Sequence, residues 1–152
     1  MEDKLLLKQK LIAYCIAKKE ESEKNLKEGM EEAQQTANEY GAPKDRYDSY
    51  RAQQMRKKDM LAEQFDVIQE ELRVLRQLSV NIKKQDDVAL GALVITQEQR
   101  LFIAVGMGKI NMDGNIYYAI SPVVPVVNAM KGKKAGEEFV FNGIKKKILD
   151  IY

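Results

Sequence analysis

The sequence predicts an α+β fold: an N-terminal antiparallel two-helix coiled-coil hairpin, followed by a small, mostly antiparallel β domain. Two observations carry this expectation. The first half has the 3–4 spacing of apolar residues that a helical seam requires, whereas the second half is a series of short β-branched and aromatic runs punctuated by turn signals.

From about Asp3 to Tyr40 there is no proline and one glycine, Gly29, among abundant Lys, Glu, Gln and Ala. These are strong helix formers, so a single long helix is expected. Its apolar positions are sparse: Leu5, Ile12 and Ile16, then Leu26, Met30, Ala33, Ala37 and Tyr40. A helix this polar is solvated over most of its circumference.

Gly41-Ala42-Pro43-Lys44 ends it, because glycine accepts a left-handed helix end and proline cannot continue the hydrogen-bond ladder. A second helix is expected from about Asp45 to Leu78, with Leu61, Phe65, Ile68, Leu72 and Leu75 alternating by four and three. Two such helices joined by a short loop lie antiparallel and form a rod of roughly 50 Å, with residues 41–48 at its tip. The expected domains are therefore 1–78 and 79–152.

After Ser79 strands are expected at Ala89 to Thr96, Leu101 to Val105, Asn115 to Ile120, Glu137 to Phe141 and Ile144 to Tyr152. Asp113-Gly114 and Asn142-Gly143 read as type I′ hairpin turns, since both central residues of that turn take positive φ. Pro125 to Met130 reads as one short helix with proline in its first turn.

Composition narrows the chemistry. Lys and Arg number 25 against 23 Asp and Glu, a net charge of +2, so binding to a polyanion would depend on local clusters. There is no histidine, which removes the usual general base at neutral pH and the commonest metal ligand. Carboxylates remain, and these suffice for a hard cation such as Mg²⁺. The single cysteine, Cys15, lies among Leu11, Ile12, Tyr14 and Ile16 and reads as a buried structural thiol. With no disulfide and no apolar run long enough to span a bilayer, a cytoplasmic protein is expected, without membrane association.

Ile120-Ser121-Pro122, then Asn128-Ala129-Met130-Lys131-Gly132-Lys133-Lys134-Ala135-Gly136-Glu137, then a strand ending Ile148-Leu149-Asp150-Ile151, resembles the C-terminal domain of the GreA/GreB family of transcription elongation factors. That family has a strand end reading "I-S-x-x-SP" and a short helix reading roughly "A-L-x-G-K-K-x-G-D". The resemblance implies an FKBP-like C-terminal domain that docks on bacterial RNA polymerase, here through Ser121, Pro122, Val123 and Lys131. It implies a hairpin that enters the polymerase secondary channel, and tip acids that help hold Mg²⁺ against the 3′ end of the backtracked nascent RNA. Such a factor is no enzyme by itself. It stimulates the cleavage activity of the polymerase, with Mg²⁺ shared between the two and no tightly bound cofactor.

The family tip reads approximately "G-D-L-S-E-N-A-E-Y", and alignment on Gly41 puts Ala42 where the first aspartate stands, Asp45 at the glutamate and Asp48 at the next acid. An alanine cannot ligate a cation, so the pair would be rebuilt from Asp45 and Asp48. Both aspartates also fit a helix-capping arrangement. Lys44, Arg46, Arg51 and Arg56 are candidates to face nucleic acid, against the alternative of ordinary solvated positions. Tyr40, Tyr47 and Tyr50 cluster at the tip, where packing and base stacking are both open.

Three other functions stay open: a channel-occupying inhibitor without cleavage activity, a peptidyl-prolyl isomerase, and a coiled-coil oligomerisation module. An intramolecular hairpin predicts a monomer. Isomerase pockets are aromatic and often floored by tryptophan; the chain has no tryptophan, and a small core would consume most of Phe102, Tyr117, Tyr118, Phe139, Phe141 and Tyr152.

Overall fold

The computed structural model describes residues 2–39 and 45–152, with side chains described from 4 to 39 and from 49 to 152. The chain forms an N-terminal helical hairpin followed by a mixed six-stranded sheet, an α+β architecture. It divides into two compact units, residues 16–73 and residues 1–15 together with 74–152.

Helix α1 runs Glu2–Glu39 and helix α2 Asp45–Val80. Within residues 16–73 three contacts fix their direction. Lys19 meets Glu71 at 3.0 Å, Gly29 faces Leu61, and Gln34 accepts from Lys58 at 2.7 Å. As the position on α1 rises, its partner on α2 falls, so the helices are antiparallel. Ala33, Ala37 and Leu72 are buried in this unit, while Leu26, Met30, Leu61, Phe65 and Ile68 are half-buried. Small alanines on one helix opposite larger apolar residues on the other suit a two-helix seam.

In the other unit the sheet comprises β1 (Leu93–Thr96), β2 (Arg100–Ile103), β3 (Gly108–Met112), β4 (Asn115–Ile120), β5 (Glu138–Phe141) and β6 (Ile144–Ile151), in the order β3-β4-β2-β1-β6-β5. Helix α3, Pro125–Met130, follows β4. Both anticipated turns carry positive φ at their two central residues: Asp113 at 52° and Gly114 at 81°, then Asn142 at 52° and Gly143 at 75°. All strand pairs are antiparallel except β2 with β4. The parallel pair arises because β3 passes to the sheet edge, so that the Asp113-Gly114 hairpin returns β4 into the space between β3 and β2.

Two sequence expectations need correction. The first strand begins at Leu93 and not Ala89, because Ala89 to Gly91 turn instead: Ala92 N–H donates to the Ala89 carbonyl at 3.0 Å, and Gly91 has φ +89°. Strand β3 was not among the expected strands; its Gly106-Met107-Gly108 approach has the composition of a loop.

One face of the sheet is covered by α3. Val94, Leu101, Ile103, Phe139, Ile148 and Ile151 cluster with Val127 and Met130 of that helix. Leu93 and Phe102 are opposite each other on β1 and β2, point away from this cluster by strand alternation, and are also fully buried. Beside Leu93 runs the first part of α1: the Tyr152 carbonyl accepts from Leu93 N–H at 3.3 Å and from Lys8 Nζ at 3.2 Å. From Lys8 the buried positions of α1 continue through Leu11, Ile12 and Cys15, one face of a helix.

Candidate functional site

The tip residues Tyr40, Gly41, Ala42, Pro43 and Lys44 lie outside the described residues. So do the side chains of Asp45, Arg46, Tyr47 and Asp48, whose backbone begins α2. The carboxylates expected to serve Mg²⁺ are therefore placed only as the start of that helix. Farther along α2, Arg56 and Lys57 are exposed and Arg51 is half-buried. Lys58 is half-buried and donates to Gln34, which in turn donates to Asn38 Oδ1 at 2.9 Å. Of the four consecutive or near-consecutive cations, Arg56 and Lys57 present their charge outward. Lys58 belongs to the hairpin's own polar contacts, and its stem helps line a groove of about 510 Å³ with Lys27, Met30 and Gln34.

Ser121, Pro122 and Val123 form the turn that leads from β4 into α3. Ser121 Oγ accepts from Val123 N–H at 3.3 Å and the Ser121 carbonyl from Val124 N–H at 3.4 Å, a serine turn closing on itself. Val124 is extended, as the residue before a proline should be, and Pro125 starts the helix where a missing N–H costs nothing. Asn128 Nδ2 reaches back to the Val123 carbonyl at 3.5 Å. The consequence is that the Val123 side chain is held outward, 76 % exposed, on a turn whose Val123 N–H and carbonyl are both bonded. Lys131 is exposed just past the other end of α3.

Between these points lies a groove of about 340 Å³, not anticipated from the sequence. Leu101, Tyr118, Ile120, Val124, Val126 and Phe141 supply its apolar walls, and Gln99 and Lys146 its polar rim. Of the six C-terminal aromatics, Phe102, Tyr117 and Phe139 are buried, whereas Tyr118, Phe141 and Tyr152 are half-buried. Tyr118 and Gln99 also border a more polar hollow with Glu98, Arg100 and Asn115. Lys146 Nζ lies 3.6 Å from Glu98, a residue of the adjacent polar hollow, so the rim lysine is ion-paired. The strand pattern could have indicated this: Phe141 and Lys146 lie on the same side of the β5–β6 hairpin as buried Phe139.

A second arrangement missed by sequence reasoning is the clamp at the start of α1. Lys8 is 2 % exposed, and its ammonium donates to the Lys83 carbonyl at 2.7 Å and the Tyr152 carbonyl at 3.2 Å. Burial, with a smaller contribution from the Lys83 charge, lowers its pKa from 10.5 to about 8. One turn earlier, Lys4 pairs with Asp150 at 3.0 Å and sits 4.4 Å from the centroid of the Tyr152 ring.

No family model matches the sequence and no curated protein matches it. Among solved structures, the chain is similar to the crystal structure of GreA factor homolog 1 (Gfh1) of Thermus thermophilus, with 11 % identity, a TM-score of 0.34, and coverage of 93 % of this chain and 94 % of that one. It is also similar to Gfh1 of Thermus aquaticus, with 14 % identity, a TM-score of 0.33, and coverage of 90 % and 92 %. Among the described residues no helix is long and apolar enough to cross a membrane.

Proposed function

We propose that the chain is a Gre-type transcription elongation factor. In this reading residues 79–152, an FKBP-like domain, dock on bacterial RNA polymerase. Residues 1–78 place the hairpin tip in the secondary channel and stimulate cleavage of backtracked RNA by the polymerase.

The supporting observation is how the family-like motif falls on the structure. Ile120 closes β4, Ser121 to Val124 make the turn, α3 occupies 125–130, and the Lys131 to Glu137 turns lead to the β5–β6 hairpin. Each motif segment thus coincides with one element, and two helices of 38 and 36 residues precede it. Mg²⁺ at the polymerase would supply the electrophilic stabilisation of an in-line phosphoryl displacement. The chain's own part is to bring Asp45 and Asp48 to the channel.

Ala42 favours a second version of the same reading, a factor that occupies the channel without promoting cleavage. The two differ at the tip and share the docking surface, so docking is tested first. Purified chain should bind core RNA polymerase from its own organism, and Val123→Asp should weaken binding at least tenfold while leaving the fold unchanged by circular dichroism. Absence of binding by the unsubstituted protein would refute both versions.

A further inference from the structure

Two hollows that the Ser121 to Val123 turn does not line meet at the start of β2. One is the groove of about 340 Å³ walled by Leu101, Ile120, Val126 and Phe141. The other is the polar hollow of about 510 Å³ bordered by Glu98, Arg100 and Asn115. Gln99 and Tyr118 line both, so the two adjoin as one trough, apolar at one end and polar at the other. Its polar end is braced by bonds within the domain. Thr96 Oγ1 accepts from Gln99 N–H at 3.1 Å and from Glu98 N–H at 3.4 Å, and Asn115 begins β4 directly after the Asp113-Gly114 turn. Walls fixed in this way lose little freedom when a ligand enters.

The charges of the trough do not cancel. Of its lining residues Glu98 is acidic, and Arg100 and Lys146 are basic. Glu98 lies 3.6 Å from Lys146, and Asp113, next to the hollow's Gly114, is paired with Lys10 at 3.3 Å. The cation left over is Arg100, which is half-buried and has no carboxylate partner among the described residues. The parallel pairing of β2 with β4 sets it beside Tyr117, with its guanidinium carbon 5.9 Å from the centroid of that buried ring. A guanidinium over an aromatic ring still has its planar fork of N–H donors to offer a carboxylate.

We infer that the trough binds a protein segment in which a bulky apolar side chain, seated in the groove, lies close in sequence to an acidic one whose carboxylate meets Arg100. Each end selects one of these features. A segment without a large apolar side chain leaves the groove walls in water, and a basic segment meets the unpaired guanidinium with like charge. The exposed amide side chains of Gln99 and Asn115 are placed to bond the backbone of such a segment. The surface is separate from the Val123 turn and is tested on the protein alone, so its failure is distinct from failure of the polymerase reading.

The test is an amide NMR titration of the whole chain with three peptides blocked at both ends: Phe-Glu, Phe-Ala-Glu and Phe-Ala-Ala-Glu. Each is compared with its glutamine counterpart, and acetate serves as the bare anion. At least one acidic peptide should give saturable shifts at the amides of Arg100, Leu101, Tyr118 and Phe141. It should bind about tenfold more tightly than its glutamine counterpart and than acetate, as a charge-assisted bond implies. Arg100→Gln should remove that preference, and Lys109→Gln, at an exposed lysine on β3, should keep it. Should Arg100→Gln fail to fold, the comparison of acidic and neutral peptides on the unsubstituted protein decides alone. No saturable shift with any of the three, equal binding of acidic and neutral forms, or a preference that survives Arg100→Gln would overturn the inference. Acetate binding as tightly as the peptides would overturn it in favour of a bare anion site.

Discussion

Lys8 Nζ donates to the main-chain carbonyl of Lys83 at 2.7 Å, so a buried ammonium on α1 ties the helix to the segment that follows α2. The same nitrogen bonds to Tyr152 at the end of β6. Hydrogen bonds from a charged donor contribute about 1.5–3 kcal/mol each before the cost of burying the charge. Lys8→Met keeps the stem's volume, removes both bonds and takes the ammonium donor from the Lys83 carbonyl, while the Tyr152 carbonyl keeps its bond from Leu93 N–H. Urea unfolding at pH 7 should show a loss of about 1–2 kcal/mol.

The lowered pKa of Lys8 gives a signed pH prediction. The folded state releases this proton near pH 8, and the unfolded chain retains it to about 10.5. Between those values the unfolded state binds more protons, so this group makes stability rise with pH. The stability difference between wild type and Lys8→Met should therefore widen from pH 8 to pH 10.5 and be flat below it. A gap that narrows over that window would show that the ammonium form is the one the fold prefers.

Two glycines should respond oppositely to alanine. At Gly91 φ is +89°, and an added Cβ would stand 2.7 Å from Gln85 Nε2 and 3.0 Å from Leu78 Cδ2. Gln85 Nε2 is itself bonded to the Leu90 carbonyl at 2.9 Å, so it cannot simply swing away. Gly91→Ala should cost about 2 kcal/mol or more, from backbone strain and the lost bond together. Thermal unfolding reads this directly, and adding Gln85→Ala should recover only part of the loss, because the backbone strain remains.

Gly29 lies inside α1, where alanine is favoured by up to about 1 kcal/mol. Its added Cβ would meet only the end of a half-buried leucine, Leu61 Cδ1 at 3.1 Å. A side-chain terminus can yield by a few tenths of an ångström. Gly29→Ala should raise the unfolding midpoint slightly; a fall would mean that the seam needs the close approach of helix backbone and Leu61.

The helices, both type I′ turns and α3 were legible because each is specified locally: by apolar spacing, by Asp-Gly and Asn-Gly, and by a proline at a first turn. Strand β3 escaped because glycines flank its start and its residues Lys109 and Asn111 are exposed, leaving Ile110 as its one buried side chain. Lys8 escaped for a different reason. Nothing local marks a lysine as buried; its carbonyl partners lie 75 and 144 residues away. The groove beneath Val124 and Phe141 is likewise formed by the crossing of β4, α3 and β5, which no single segment encodes. The resemblance to a family located the Ser121 turn, but it could not say that Val123 is the side chain left outside.

The most direct measurement is RNA cleavage in a reconstituted, backtracked elongation complex from the same organism, with Mg²⁺ and with wild-type, Asp45→Ala, Asp48→Ala and Ala42→Asp proteins. The account predicts shortened RNA with wild-type protein, its loss in both aspartate variants, and faster cleavage with Ala42→Asp. Polymerase binding without cleavage in any of the four proteins would contradict a metal-assisting tip and leave Asp45 and Asp48 as the capping residues of α2.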